Sequence, residues 1–174
     1  DRIPTAGVFI QDGEMHLWYN PKFMAGLTNA QIIGLLKHEC YHLIYQHTTK
    51  RRHKPHIIWN YATDLAINSL IDENELPEGG LIPGKAFSAL TPEQKQQMGA
   101  KAAERYEMIS AKIASFPKGE YSEWYFAQLM DDEDVKQAIE SSEAMGGKSL
   151  SEALADGDVM IDEDGNLVDA DGNP

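Results

Sequence analysis

Three side chains in one short run could bind a metal ion and move a proton beside it. They are His38, Glu39 and His42, in Leu35-Leu36-Lys37-His38-Glu39-Cys40-Tyr41-His42-Leu43-Ile44. On an α-helix residues four apart lie above one another, so two imidazoles close on a single ion. Glu39 points about 100° round from His38. That places a carboxylate beside the ion, where it can take a proton from a water the metal activates. The chemistry this H-E-x-x-H spacing serves is zinc-assisted hydrolysis. Cys40, about 200° round, is expected on the core side as a small packing residue.

Catalytic zinc takes three protein ligands and keeps one position open, so a third ligand is required. The run Ile57-Ile58-Trp59-Asn60-Tyr61-Ala62-Thr63-Asp64-Leu65-Ala66-Ile67-Asn68-Ser69-Leu70-Ile71 reads as a helix, with Pro55 at its start. Asn60, Asp64 and Asn68 share one face at four-residue steps. A carboxylate in an otherwise apolar helix needs a partner to offset its desolvation, and a metal is one of the few that can. Asp64 is therefore the favoured third ligand. Asn60 and Asn68 are placed to hold that carboxylate or the free ring nitrogen of a histidine. His47, His53 and His56 are the rivals. His47 is five residues past His42, about 140° round, and is expected to face elsewhere.

The elements that must position these residues are legible upstream. Thr28 and Gln31 have the spacing of a capping box, and a helix is expected from about Asn29 to His47. Ile32, Ile33, Leu36, Cys40, Leu43 and Ile44 would form its apolar side, with Leu35, His38, His42 and Tyr45 on the other. Val8-Phe9-Ile10 and Met15-His16-Leu17-Trp18-Tyr19 flank Gln11-Asp12-Gly13-Glu14, a hairpin signal. Its second strand could pair with an extended peptide. Pro92 to Ser115 reads as one helical stretch, amphipathic from Ala100.

The segment from about Gly7 to Ile71 resembles the zincin-like metallopeptidase domains of bacteria and phages that often precede a von Willebrand factor A-like domain. The resemblance rests on three features. They are the hairpin ending in Tyr19-Asn20-Pro21, the His38-Glu39-Cys40-Tyr41-His42 run followed by His47 and Arg51, and Trp59-Asn60-Tyr61-Ala62-Thr63-Asp64-Leu65-Ala66-Ile67-Asn68. Ser122-Glu123-Trp124-Tyr125 is a weaker echo. The resemblance implies a helix-rich α+β zincin-like fold with an N-terminal β-hairpin, His38, His42 and Asp64 as zinc ligands, and Glu39 as general base. It implies a zinc-dependent peptidase acting on a peptide or protein. The alternative is a non-catalytic zinc-stabilised interaction module whose site is covered by the acidic tail or a partner. An oxyanion donor is not identified among Tyr45, Tyr61, Tyr121, Tyr125, His56 and Arg51.

The net charge of −13 is unevenly spread. Residues 1–130 carry 14 acids and 13 bases, whereas 131–174 carry 14 acids and 2 bases. This predicts a metallopeptidase domain over 1–130 and an acidic, weakly ordered segment over 131–174, which could receive a further domain or partner. The acidic-Gly end, 162–172, could make a small hairpin or attract calcium, although the twelve-residue calcium loop with its closing glutamate is missing. The tail could also dock on Lys50-Arg51-Arg52-His53-Lys54. That basic run is too short and too isolated to favour nucleic acid. One cysteine, no run long and apolar enough for a membrane span and no secretory signal at Asp1-Arg2-Ile3-Pro4 point to a cytoplasmic protein.

Overall fold

The computed structural model describes residues 5–11, 13–47, 50–51, 53–143, 159–161 and 167–169. The chain divides into two units, Asp1–Ala25 with Lys148–Pro174, and Gly26–Gly147. Among the described residues no helix is long and apolar enough to cross a membrane. Helices with small antiparallel sheets make this an α+β, helix-rich chain.

In the first unit, β1 (Ala6–Gln11) pairs antiparallel with β2 (Glu14–Tyr19), in register from Ala6 opposite Tyr19 to Gln11 opposite Glu14. Gly13, at φ +83°, supplies the left-handed residue that a two-residue turn requires. Phe9 stacks on its cross-strand partner His16 at 5.0 Å. The strand stops at Asn20, whose Oδ1 accepts from the amides of Lys22 at 2.9 Å and Phe23 at 3.4 Å. This cap opens the short helix α1 (Pro21–Ala25). In the tail, β3 (Val159–Ile161) pairs antiparallel with β4 (Leu167–Asp169). The rest of the acidic-Gly end, with any calcium site or docking contact it could make, lies outside the described residues.

The second unit begins with α2 (Asn29–Ile44). Both halves of the expected capping box are present: Gln31 N donates to Thr28 Oγ1 at 3.2 Å, and Thr28 N donates to Gln31 Oε1 at 2.9 Å. The expected burial of α2 is not what the fold uses. Ile33, Leu36, Cys40 and Ile44 are exposed, and its buried residues are Gly34 and Glu39. Gly34 lies against the backbone of Glu75, in a 3-10 turn at Glu73–Glu75. A Cβ there would stand 1.9 Å from the Glu75 carbonyl oxygen, so the contact admits only glycine without a shift. Lys37 pairs with the Glu75 carboxylate at 2.5 Å.

Helix α3 (His56–Asn68) forms the centre of this unit, with Ile58, Ala62 and Leu65 fully buried and Trp59 nearly so. Around it pack α5 (Ala100–Ala114), α6 (Ser122–Met130) and α7 (Glu133–Glu143), contributing Ile109, Ile113, Tyr125, Leu129, Val135 and Ile139. A second cluster, Ile67, Ile71, Leu76 and Ile82, receives Tyr41 of α2 and so joins the two motif-bearing helices.

Two sequence expectations are corrected here. The stretch from Pro92 to Ser115 is two helices, because Gly99 at φ +86° ends α4 (Pro92–Met98), donating its amide to Lys95, and α5 starts beyond it. The boundary expected at residue 130 falls inside the helical unit. Val135, Ala138 and Ile139 are on the buried side of α7, so the acidic composition there marks only the wet face of an amphipathic helix.

Candidate metal centre

α2 and α3 bring three ligand-type atoms to one point. His42 Nε2 lies 2.9 Å from His38 Nε2 and 3.2 Å from Asp64 Oδ1, and His38 Nε2 lies 3.5 Å from that same oxygen. The three residues offer atoms all within 4.8 Å of one another, a group that could hold a metal ion. The four-residue step on α2 stacks the two imidazoles, with ring centroids 4.6 Å apart. Asp64 enters from the facing side of α3. The three side chains keep some access to solvent, 15 % for each histidine and 34 % for Asp64.

The surrounding polar groups fix where the lone pairs point. Asn68, buried one turn beyond Asp64, donates its Nδ2 to the Leu81 carbonyl at 2.9 Å. Its Oδ1 therefore faces His38 Nδ1, 2.8 Å away, and can only accept. His38 consequently carries a proton on Nδ1, which leaves Nε2 as the nitrogen that faces Asp64 and His42. This is the role the spacing of Asn68 predicts.

His47 is placed differently from expectation. Helix α2 stops at Ile44, and Gln46 at φ +58° folds the chain back. His47 Nδ1 thereby arrives 3.4 Å from His42 Nδ1. Its other nitrogen, Nε2, lies 3.2 Å from Ser122 Oγ at the start of α6. A metal taken by His42 Nε2 would leave that ring's proton on Nδ1, and protons would then run outward in one sense, from His42 Nδ1 to His47 and from His47 Nε2 to Ser122. Trp59 meets the His47 ring edge-on at 5.8 Å. Next to this contact, the Arg51 guanidinium grips both oxygens of Glu123, at 2.5 and 2.6 Å. The echo Ser122-Glu123 is thus the second half of a brace whose first half is His47 and Arg51.

Protonation follows from these contacts. Burial alone would depress the His38 imidazole. The hydrogen bond and charge of Asp64, helped by Glu39 and Asn68, outweigh it and raise His38 to about 9 in the metal-free protein. Burial likewise opposes ionisation of Asp64, but hydrogen bonds and charge from His38 and His42 hold its carboxyl well below the usual range. In His47 burial acts with the positive fields of His42 and Arg51, lowering it to about 3 and keeping the ring neutral. Glu39 is buried on α2 beside His38 and contributes negative charge to it.

The other candidates are placed elsewhere. His53 lies against the rings of Trp59 and Phe126, at 4.4 and 5.3 Å, and His56 begins α3. Tyr125 is a core residue whose hydroxyl donates to the Pro117 carbonyl at 2.7 Å. Arg51 is occupied by Glu123, and Tyr121 is exposed. Within the basic run, Arg51 is engaged in the pair with Glu123.

A family model for a putative metallopeptidase domain matches residues 4–157. No curated protein and no solved structure matches the chain. The family match extends past the hairpin, α2 and α3, through α7. A His-His-Asp cluster and a match over most of the length lead to one conclusion: this chain belongs to the family of putative metallopeptidase domains.

Proposed function

We propose that the chain is a zinc-dependent peptidase of zincin-like fold, with His38, His42 and Asp64 as ligands and Glu39 as general base. The observation that carries this reading is the spacing of the three atoms. Ligands at about 2.0–2.2 Å from a tetrahedral zinc stand about 3.3–3.6 Å from one another. The separations of 2.9, 3.2 and 3.5 Å lie close to that range. The Nδ1 proton that Asn68 holds on His38 supports it further, since it reserves Nε2 for the metal, which would displace the proton there. Two histidines with a carboxylate, and access from solvent, are the donor set of a catalytic rather than a closed site.

When bound, zinc would polarise the scissile carbonyl and acidify a water. The chain supplies the rest. Asn68 and the His47–Ser122 brace hold the two imidazoles in orientation. Glu39 accepts the proton of the attacking water and delivers it to the leaving nitrogen, so the proton count of the hydrolysis closes. The substrate class is a peptide or protein.

The test is metal content and peptide hydrolysis measured together. Wild type should hold about one zinc per chain after dialysis, Asp64→Ala should lose it, and Glu39→Gln should keep the metal while losing hydrolysis. A folded wild type that takes up no added zinc would overturn the reading. Zinc held without any Glu39-dependent hydrolysis would leave a structural zinc module instead.

A further inference from the structure

A cleft lies in the helical unit, and none of the three candidate ligands lines it. Its volume is about 750 Å³, within the size range of small-molecule sites. Leu76, Leu81, Ile82, Phe87, Met98 and Ile109 give it an apolar wall. The wall is pinned in place. Gly84 N donates to the Ile113 carbonyl at 3.0 Å, Phe87 N to Ser110 Oγ at 2.9 Å, and Tyr106 Oη to the Ser88 carbonyl at 3.0 Å. These bonds tie the extended run after Ile82 to α5, so the opening is formed without a ligand.

The charges in the cleft are unequal in their needs. Lys85 pairs with Glu73 at 3.3 Å, and Glu73 also receives Lys118. Glu78 sits exposed on the Pro77–Gly80 turn, where water screens it. Arg105 differs. It is half-buried on α5, beside Ala102 and Ile109 on the same helical face, and among the described residues no acid or carbonyl meets its guanidinium. A partly desolvated guanidinium offers five N–H donors in a planar fork suited to a carboxylate. One cation against an apolar wall suits a singly charged group on an apolar body better than a phosphate, which would call for more donors.

We propose that this cleft binds a carboxylate carried on an apolar stem, with Arg105 holding the carboxylate and the Leu81–Phe87 wall and α5 enclosing the stem. Such a ligand is either the free C-terminus of an apolar peptide or an aliphatic acid. The site neighbours the metal centre through one amide, since the Leu81 that lines it also accepts the Asn68 bond that orients His38.

The test is titration of the metal-loaded protein with three probes: N-acetyl-Leu-Phe, its C-terminal amide, and decanoate, followed by calorimetry and by amide chemical shifts. At least one of the two acids should bind, and the peptide acid, if it binds, should do so about tenfold or more tightly than its amide. Arg105→Gln should abolish binding of the acid, and Ala102→Trp, which fills the cleft, should do the same. Both variants should keep their zinc content and melting temperature, and Arg105→Lys should retain part of the affinity. Preference for the peptide acid identifies a peptide C-terminus as the ligand source, and preference for decanoate identifies an aliphatic acid. Equal binding of peptide acid and amide without decanoate binding, binding unchanged in Arg105→Gln, or no binding of either acid would overturn the proposal. Binding is read directly, so the result stands whether or not the metal centre hydrolyses peptides.

Discussion

The two helices that bring His38, His42 and Asp64 together are held by opposite means. Eight residues of α3 are buried, most of them apolar, and the helix is fixed by hydrophobic packing on several sides. α2 buries only Gly34 and Glu39 and exposes Ile33, Leu36 and Ile44. Its place is set by a backbone approach at Gly34, an ion pair at Lys37, the ring of Tyr41, and the polar contacts of its two histidines. One half of the candidate metal centre is therefore a rigid platform. The other half is docked by a few specific contacts, of which the metal would be one.

That difference can be broken from either side. The largest effect is expected for Leu65→Ala in α3, which removes a fully buried side chain and should cost about 2–5 kcal/mol in chemical denaturation. Ile33→Ala, an equally apolar truncation on α2, should change stability by less than about 0.5 kcal/mol. Equal losses would end the contrast. Next comes Gly34→Ala, which forces α2 off the Glu75 backbone and should cost about 1–3 kcal/mol, the opposite sign to the gain an alanine normally brings over glycine in a helix. Its signature should be faster hydrogen exchange in α2 with α3 unchanged, and removing zinc should produce the same pattern.

Asn68→Ala should weaken zinc binding about 10- to 100-fold in a competition titration with a chelator, with the fold intact. Asn68→Asp should restore part of it, because a carboxylate also accepts from His38 Nδ1. The smallest effect is on pH. In the metal-free protein His38 is raised from 6.5 to about 9, so its proton contributes stability that is fully present below about pH 6.5 and lost as pH rises through about 9. Asp64 is depressed, so its contribution is present above its ordinary value of 3.8 and lost on acidification below it. Melting of the metal-free chain should therefore fall between pH 6.5 and 9, whereas the zinc form should not follow it. Zinc uptake at pH 7.5 should release a proton, seen as a dependence of the calorimetric heat on buffer ionisation enthalpy.

The sequence carries the local rules of this architecture more clearly than the global ones. Thr28 with Gln31, Gly13 in its turn, and the steps from His38 to His42 and from Asp64 to Asn68 are governed by helix and turn geometry within a few residues, and each is legible. The side of α2 that faces inward is not. Ile33, Leu36 and Ile44 read as a core stripe, yet the helix approaches Glu75 through glycine and turns its polar residues inward. Cys40 is exposed for the same reason. His47 escapes helical arithmetic because a single left-handed residue, Gln46, separates it from the helix. The brace to Ser122 and Glu123 spans more than seventy residues, and only the echo of a motif signalled it. α7 is hidden by composition, because three apolar residues bury a helix whose other positions are acidic and polar.

The bond from Asn68 to Leu81 has a consequence for how this chain can vary. The acceptor is a main-chain carbonyl, so the side chain at position 81 can be exchanged without touching the tautomer of His38, provided the backbone stays put. The orientation of one imidazole is thereby insulated from sequence drift in the loop that holds it. The other imidazole has no such shelter, since its support ends on a side-chain hydroxyl at Ser122. A change at position 122 alters the relay itself. Substitutions in the loop around residue 81 are thus free to reshape the neighbouring cleft, while position 122 is left with little latitude.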